Sequence, residues 1–212
     1  MLRVEASSYI LIEAQIMKTK RIFDLCCVLP SLILISPLFL LIALWVKLDS
    51  HGPIFFLQTR IGQFEKPFKI IKFRTMLPDN KGPKLTLNND TRITRCGHFL
   101  RRYKLDELPQ LINVLKGEMS LVGPRPEVPE YVAYYPDALK KYVLSVPVGI
   151  TDYASIEFHN ESELLAASKQ PEINYIENIL PLKLAYHQKY VKEQSLYLDI
   201  VLILKTLKRI FF

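Results

Sequence analysis

The stretch LCCVLPSLILISPLFLLIALWV, residues 25–46, runs for 22 residues without a charged side chain. A straight α-helix of that length would reach about 33 Å, enough to cross a hydrocarbon core of about 30 Å. Basic residues flank the run on both sides, with Lys18, Lys20 and Arg21 before it and Lys47 after it. The stretch therefore predicts a membrane helix rather than the buried core helix of a soluble protein.

Two arrangements of this helix are open. In the spanning arrangement its ends lie on opposite sides of the bilayer. In the re-entrant arrangement the helix breaks at Ser36-Pro37 and returns, because Pro37 lacks the N–H that would bond to the carbonyl of Ile33. The Ser36 hydroxyl would then help to satisfy that carbonyl. Basic residues at both ends, and the absence of cysteine pairs downstream, favour the re-entrant form.

The composition excludes three classes of protein. With 50% hydrophobic and 23% charged residues, the chain is too apolar to be disordered, and one long apolar run is too few for a polytopic membrane protein. Its three cysteines are too few for a disulfide scaffold, which favours a reducing, cytosol-facing environment. A length of 212 residues suits one domain with appendages.

The net charge of +7 is concentrated in one part of the chain. Twelve basic and three acidic residues lie between Arg60 and Lys104, a local charge of +9, while the rest of the chain sums to −2. Such a block suits a polyanionic partner: nucleic acid, an anionic membrane surface or a phosphorylated substrate. A basic surface that binds no ligand is the alternative.

Hydropathy and turn residues predict an α+β fold after the membrane segment. Two β-prone runs, 54–62 and 66–76, surround a polar turn and predict a hairpin, and 77–91 is predicted to be a loop. MSLV, residues 119–122, predicts a short strand. Helices are predicted for residues 97–104, 106–116, 161–170, 172–192 and 195–212. The last of these is amphipathic and suits either the membrane interface or the core.

This pattern divides the chain into three parts. Residues 1–16 carry little pattern and receive no assignment. Residues 17–50 form the expected re-entrant membrane helix. Residues 51–212 form a small helical domain with the β-hairpin and with interfacial helices, which the re-entrant arrangement would place on the cytoplasmic side.

The stretch FLRRYKLDELPQLINVLKGEMSLVGPRP, residues 99–126, contains the candidate site. We expect Asp106 to start a helix, since Pro109 is tolerated only within a first turn. Unpaired N–H groups there, and the basic residues just upstream, would keep the Asp106 carboxylate ionised. An ionised carboxylate can act as a nucleophile or bind a divalent metal, although an isolated Asp at this position is most often only an N-cap.

This stretch resembles the bacterial sugar transferase family, the monotopic phosphoglycosyl transferases. The resemblance runs from about Lys18 to the end of the chain. Its motifs occur in one order: KRIFD, Ser36-Pro37, GPIFF with Gln58, Arg60 and Gly62, then KFRTM, LDELPQL, NVLKGEMS and VGPRP.

The resemblance implies a reaction and a location. Family members move a sugar-1-phosphate from a UDP-sugar to undecaprenyl or another polyprenyl phosphate. They release UMP, and they work as monotopic proteins on the cytoplasmic face of the bacterial inner membrane. The reaction is the first membrane step of polysaccharide or glycoconjugate synthesis. A homodimer is compatible with this reading.

The resemblance also implies roles for single residues. Asp106 matches the nucleophile that holds a covalent phosphosugar and binds Mg²⁺, and Glu107 matches its partner in proton handling or positioning. Arg125 matches a phosphate-binding arginine in the GPRP turn. Three further basic residues match positions that can face phosphates: Lys72, Arg74 and Arg101.

One segment departs from the family pattern. Where many members read PGITGWAQVNGRN, this chain reads VGITDYASIEFHN at residues 148–160, followed by a longer helical region up to Pro181. We expect this segment to take part in recognising the sugar.

Other functions fit the sequence less well. The four histidines lack the spacing of a zinc site, and no nucleic-acid-binding motif accompanies the basic block. The main rival is a non-catalytic membrane protein that binds anionic lipid or phosphate.

Overall fold

A computed structural model of the chain describes residues 2–77 and 90–211, and only the backbone of residues 2–14, 16 and 211. The fold is α+β, as the sequence predicts. The helices are α1 (Leu2–Asp49), α2 (Arg95–Arg102), α3 (Gln110–Lys116), α4 (Pro129–Val132), α5 (Asp137–Val143), α6 (Tyr153–Glu157), α7 (Glu161–Ala166), α8 (Pro171–Asn174), α9 (Leu180–Glu193) and α10 (Leu196–Phe211). The strands are β1 (Phe55–Ile61), β2 (Pro67–Phe73), β3 (Ser120–Val122) and β4 (Gly149–Thr151).

Helix α1 does not show the predicted break. The helix includes residues 2–16 and continues through Pro30 and Pro37 to Asp49. The Ser36 hydroxyl donates a 2.8 Å hydrogen bond to the carbonyl of Ile33, which is the group that Pro37 leaves without its helical partner. Since this substitute bond satisfies the freed carbonyl, the helix can continue past the proline.

One side of α1 is apolar and exposed. Residues 17–49 have a mean hydropathy of 2.6 over their most apolar window, and among the described residues they form the one helix long and apolar enough to cross a membrane. Ile33 and Leu34 are 75% and 81% exposed. An uncovered apolar surface of this kind is typical of contact with lipid.

The other side of α1 packs on the rest of the chain. Val28 lies in a buried cluster with Val114 of α3 and Met119. Near the end of the helix, Ile42 and Val46 pack on Phe73 of β2. The helix therefore contributes to the core of the folded domain and also presents an exposed apolar surface.

The predicted hairpin is confirmed. Strands β1 and β2 pair antiparallel, with Phe55 opposite Phe73 and Ile61 opposite Pro67. The buried Asn113 side chain holds α3 against β2, accepting a 3.0 Å hydrogen bond from the N–H of Ile71 and donating a 2.8 Å bond to the carbonyl of Lys69. These two hydrogen bonds fix β2 beside α3, and therefore near the residues that immediately precede α3. Most of the predicted loop 77–91 lies outside the described residues.

The predicted helices toward the C-terminus are more divided than the sequence indicates. Residues 161–193 form α7, α8, a π-helical turn (Tyr175–Ile179) and α9. Pro171 and Pro181 stand in the first turns of α8 and α9. Because proline cannot donate the backbone hydrogen bond of a helix interior, it favours a new first turn at these two places.

A pairing that the sequence does not predict joins β3 to β4 in parallel, with Ser120 opposite Gly149. The backbones approach closely here, because a Cβ atom on Gly149 would lie 2.1 Å from the nitrogen of Gly123. Glycine is required where two backbones come this close.

We expect Gly149→Ala to lower the free energy of unfolding by about 3 kcal/mol, because β3 and β4 would have to separate. Thermal unfolding of the purified protein in detergent checks this. Gly117→Ala is the matched control: Gly117 has a φ of 82°, but the nearest atom to its added Cβ is 3.6 Å away, so we expect a loss of only about 1 kcal/mol. Equal losses in the two variants would contradict the close-approach explanation.

Candidate active site

Asp106 lies in a 3₁₀ turn, Leu105–Glu107, and not at the start of an α-helix as the sequence predicts. Lys104, just before the turn, has a φ of 55°, in the left-handed region that residues other than glycine rarely adopt. Helix α3 begins only at Gln110, because Pro109 cannot continue a helix from the preceding turn. The sharp bend between α2 and α3 therefore presents Asp106 and Glu107 on a turn.

Glu107 is held by two cations. The Nζ atom of Lys72 lies 2.7 Å from Oε1 of Glu107, and Nη2 of Arg125 lies 2.5 Å from the same oxygen. Burial opposes ionisation of Glu107, but Arg125 and Lys72 outweigh it and hold the pKa of this carboxyl well below its usual range. Lys72, Glu107 and Arg125 thus form one ionised cluster contributed by β2, the 3₁₀ turn and the GPRP segment.

The Asp106 carboxylate has a different environment. It is 7% exposed, and within the described part of the chain it forms no hydrogen bond or ion pair. Burial raises the pKa of Asp106, while Lys72 acts in the opposite direction. Asp106 does not lie at the predicted α-helix N-terminus, because α3 begins only at Gln110. Asp106 is a buried carboxylate with oxygens free to bind something else.

Arg101 and Arg74, the two other arginines predicted to face phosphates, form hydrogen bonds with other parts of the chain. Nε of Arg101 donates a 2.9 Å hydrogen bond to the Thr75 hydroxyl, and Arg101 remains close enough to Asp106 to influence its charge. Arg74 is buried, and its guanidinium donates to carbonyls at and just beyond the end of α1. These carbonyls belong to Val46, Ser50, His51 and Pro53. Arg74 therefore fixes the end of the membrane helix rather than facing the Asp106 cluster.

A second buried cluster lies around Glu127, directly after the GPRP segment. Its carboxylate accepts hydrogen bonds from the Tyr175 hydroxyl at 2.6 Å and from Nζ of Lys183 at 3.1 Å, and Nη1 of Arg60 lies 3.4 Å away. Lys183 also contacts Glu161 at 2.9 Å. Although burial opposes ionisation, Lys183 and Arg60 lower the pKa of Glu127 to about 2.

A cavity of about 860 Å³ connects the two clusters. Glu107 and Arg125 line it together with Arg60, Glu127 and Lys183, whereas Asp106 is not part of its wall. Residues of the segment that departs from the family pattern form another part of the wall: Ile150, Thr151, Ala154, Ser155, Ile156, Phe158 and His159. The remaining walls come largely from α1 and α10.

A sequence profile decides the family. The profile described as bacterial sugar transferase matches residues 15–212. The chain belongs to the bacterial sugar transferase family.

Individual relatives agree with this assignment. The chain is 39% identical over 201 residues to an undecaprenyl-phosphate glucose phosphotransferase of Komagataeibacter xylinus, covering 91% of this chain and 36% of that protein. It is 34% identical over 195 residues to a UDP-N-acetylgalactosamine-undecaprenyl-phosphate N-acetylgalactosaminephosphotransferase of Aeromonas hydrophila, covering 90% and 43%. The exopolysaccharide production protein ExoY of Rhizobium meliloti is 36% identical over 207 residues, covering 89% and 83%.

The chain spans less than half the length of the first two relatives. The family profile itself matches residues 15–212, a range that includes the Asp106 turn, the GPRP segment and most of α1.

The sequence of this chain does not reveal the Glu127 cluster. Arg60 occurs in a family motif, but nothing in the pattern pairs it with Glu127. A weak signal exists for Lys183, since it falls on the buried stripe of α9 with Leu180, Leu184 and His187. A charged residue on an apolar stripe indicates a buried partner.

Proposed function

We propose that the protein transfers a sugar-1-phosphate from a UDP-sugar to undecaprenyl phosphate and releases UMP, as the first membrane step of polysaccharide or glycoconjugate synthesis. The observation that carries the proposal is the environment of Asp106. Its buried carboxylate lacks a partner in the described part of the chain and sits beside a Glu107 clamped by Lys72 and Arg125. The names of the relatives, which include undecaprenyl-phosphate sugar phosphotransferases, support the substrates.

In the first half of the reaction, a carboxylate oxygen of Asp106 attacks the β-phosphorus of the UDP-sugar. The bond from that phosphorus to the bridging oxygen breaks, and UMP leaves with its electron pair. The sugar phosphate is then bound to Asp106 as an acyl phosphate. In the second half, a phosphate oxygen of the acceptor attacks the same phosphorus, which releases Asp106 and forms the sugar-linked polyprenyl diphosphate.

Lys72 and Arg125 would supply positive charge to this site. Both are fixed in position by Glu107, and the guanidinium of Arg125 has further N–H groups that can reach a phosphate oxygen. Glu107 therefore acts as a positioning residue in this proposal. Arg101, near Asp106, adds charge that favours binding of the diphosphate.

The residues present fit a magnesium ion bound mainly by substrate. No group of three or more His, Cys, Asp or Glu side chains able to hold a metal occurs among the described residues. Mg²⁺ commonly binds through one or two carboxylates together with substrate phosphates, and the free Asp106 carboxylate suits that mode. When bound, the ion would neutralise charge on the diphosphate.

We also propose a monotopic position on the cytoplasmic face of the inner membrane. Near the start of α1, Nη2 of Arg21 donates to the carbonyl of Leu115 at 2.8 Å, and at its end Asp49 accepts a 3.0 Å bond from the N–H of Cys96. These two places lie about 42 Å apart along a straight helix, yet both contact one domain. A spanning helix would draw polar parts of the domain into the hydrocarbon, which favours both ends on one face.

We infer that the segment around residues 150–165, which includes part of the stretch that departs from the family pattern, takes part in sugar recognition. The support for this role is that the segment lines the same cavity as Arg125. The relatives act on different sugars according to their names, so the sugar has to be found by assay. The expected homodimer stays a prediction.

The test is an assay of the purified protein in nanodiscs with undecaprenyl phosphate, Mg²⁺ and a panel of UDP-sugars, beginning with UDP-glucose and UDP-N-acetylgalactosamine. We expect UMP and a sugar-linked undecaprenyl diphosphate in equal amounts, detected by mass spectrometry. Without the acceptor, we expect the intact protein to gain the mass of one sugar phosphate. A protein that binds undecaprenyl phosphate and releases no UMP from any sugar in the panel would instead fit the non-catalytic lipid-binding alternative.

A further inference from the structure

We propose that the prenyl chain of the acceptor enters the site through an apolar slot between α1 and α10. The α1–α10 slot is defined by Phe23 and Cys27 on α1 and by Ile203, Leu207 and Ile210 on α10, all of which line the cavity that contains Glu107 and Arg125. The inference rests on the proposed function, since it assigns a place to the lipid part of that acceptor.

Helix α10 carries two separate stripes. Asp199, Leu202 and Thr206 face the domain: Asp199 and Leu202 are buried, and the Thr206 hydroxyl lies 2.6 Å from that of Thr151. The second stripe consists of apolar residues at helical spacing: Ile200, Ile203, Leu207 and Ile210. Ile203 also packs against the buried cluster that contains Leu202, and the second stripe as a whole lines the cavity.

The spacing between the two helices is fixed by polar contacts. Nζ of Lys20 on α1 forms a buried 2.6 Å ion pair with Asp199 of α10. The Thr151 contact holds the same helix two turns further along. Because α10 is anchored at both places, the slot is a built feature and not a gap between loosely placed helices.

The cavity that the slot enters has the charge that an acceptor phosphate requires. Three cavity-lining carboxylates face six basic side chains, and three of these bases have no carboxylate within ion-pair distance in the described part of the chain: Arg102, Lys104 and Arg209. A monoanionic or dianionic phosphate would be attracted to this excess of positive charge.

The outer end of the slot opens toward lipid. Ile200, Leu204 and Leu207 line the cavity and are nevertheless 43%, 60% and 46% exposed, which places them at its mouth. The neighbouring face of α1 is apolar and exposed as well, at Ile22 and Leu29. An elongated hydrocarbon chain with a phosphate at one end matches the combination of a basic cavity with an apolar mouth.

The experiment narrows the slot with Leu207→Trp and Ile203→Trp. Tyr197→Trp is the matched control, since Tyr197 lies on the same helix, is 79% exposed and is not part of the cavity wall. Binding of undecaprenyl phosphate is measured by native mass spectrometry in nanodiscs that contain phosphatidylglycerol. The KM for undecaprenyl phosphate and the KM for the UDP-sugar are measured by UMP release.

We expect at least one of the two slot variants to bind undecaprenyl phosphate about tenfold more weakly, with a matching rise in its KM, because the indole displaces part of the chain. The KM for the UDP-sugar should change less than about twofold. Tyr197→Trp should match the wild type in all three quantities. Thermal unfolding of the variants controls for loss of the fold.

Three results would overturn the slot: unchanged undecaprenyl phosphate binding in both folded variants, an equal rise in both KM values, or equal retention of phosphatidylglycerol and undecaprenyl phosphate. The last would mean that an ordinary phospholipid occupies the cavity. Failure of the slot is distinguishable from failure of the proposed transfer. If Leu207→Trp weakens the binding of undecaprenyl phosphate but the wild-type protein releases no UMP, the proposed transfer is wrong and the slot is still supported.

Discussion

Asp106→Asn is expected to lower UMP release from the UDP-sugar by at least about a thousandfold, equivalent to about 4 kcal/mol in the barrier. The substitution keeps the size of the side chain but replaces the nucleophilic carboxylate with an amide, which cannot form the acyl phosphate. The Lys72–Glu107–Arg125 cluster does not depend on Asp106, so the site should otherwise stay intact. The measurement is the initial rate of UMP release in nanodiscs with Mg²⁺ and undecaprenyl phosphate.

Two controls separate chemistry from folding and membrane binding. Asp137→Asn makes the same change at a carboxyl that is 89% exposed on α5, and we expect wild-type rates from it. Flotation with liposomes should recover both variants with the membrane fraction, because α1 is unchanged. The intact mass of Asp106→Asn should not increase on incubation with the UDP-sugar. Full turnover in this variant would remove Asp106 as the nucleophile.

Glu127→Gln is expected to lower the free energy of unfolding at pH 7 by about 3–5 kcal/mol. The change removes one buried charge, which leaves Arg60 without its carboxylate partner and leaves Lys183 with Glu161 alone. A buried cation without compensation is much less stable than a buried ion pair. Chemical denaturation of the purified protein in detergent measures the loss, and Glu177→Gln, at an exposed carboxyl on the π-helical turn, should leave stability within about 0.5 kcal/mol.

The pH dependence gives an independent check on Glu127. Its pKa is lowered from 4.5 to about 2 in the folded protein, so its ionised form stabilises the fold above pH 4.5. That contribution is lost as the pH falls toward 2. We therefore expect the difference in stability between wild type and Glu127→Gln to be largest at neutral pH and to shrink on acidification below pH 4.5. A difference that stays constant down to pH 3 would mean that charge is not its cause.

Local sequence signals were sufficient where a structure depends on neighbouring residues. The apolar run at 25–46 predicts the membrane helix, and the β-prone runs around a polar turn predict the pairing of β1 with β2. Gly117 predicts the end of α3, where it adopts a φ of 82°. The Ser36-Pro37 break was predicted from the loss of one hydrogen bond, and the Ser36 hydroxyl compensates for that loss while the helix continues.

The candidate site was predictable only in part. The motif around Asp106 and Glu107 located the turn, and in the structure Lys72 and Arg125 both contact Glu107. The hydrogen-bond partners of Arg74 could not be predicted from its sequence position, two residues after Lys72. Its surroundings are the carbonyls at the end of α1, more than twenty residues away in the chain.

The sequence by itself determined that the chain has a helix long and apolar enough to cross a membrane, an α+β domain and the motif that contains Asp106 and Glu107. Periodicity, turn chemistry and motifs are properties of neighbouring residues and can be read along the chain. Only the tertiary structure decided that Lys72 and Arg125 bind Glu107, whereas Asp106 has no hydrogen bond or ion pair within residues 2–77 and 90–211. It also decided that Glu127 pairs with Lys183, and that α10 faces α1 across a cavity. These features depend on burial and on contacts between residues up to 179 positions apart, as between Lys20 and Asp199, and no local pattern specifies them.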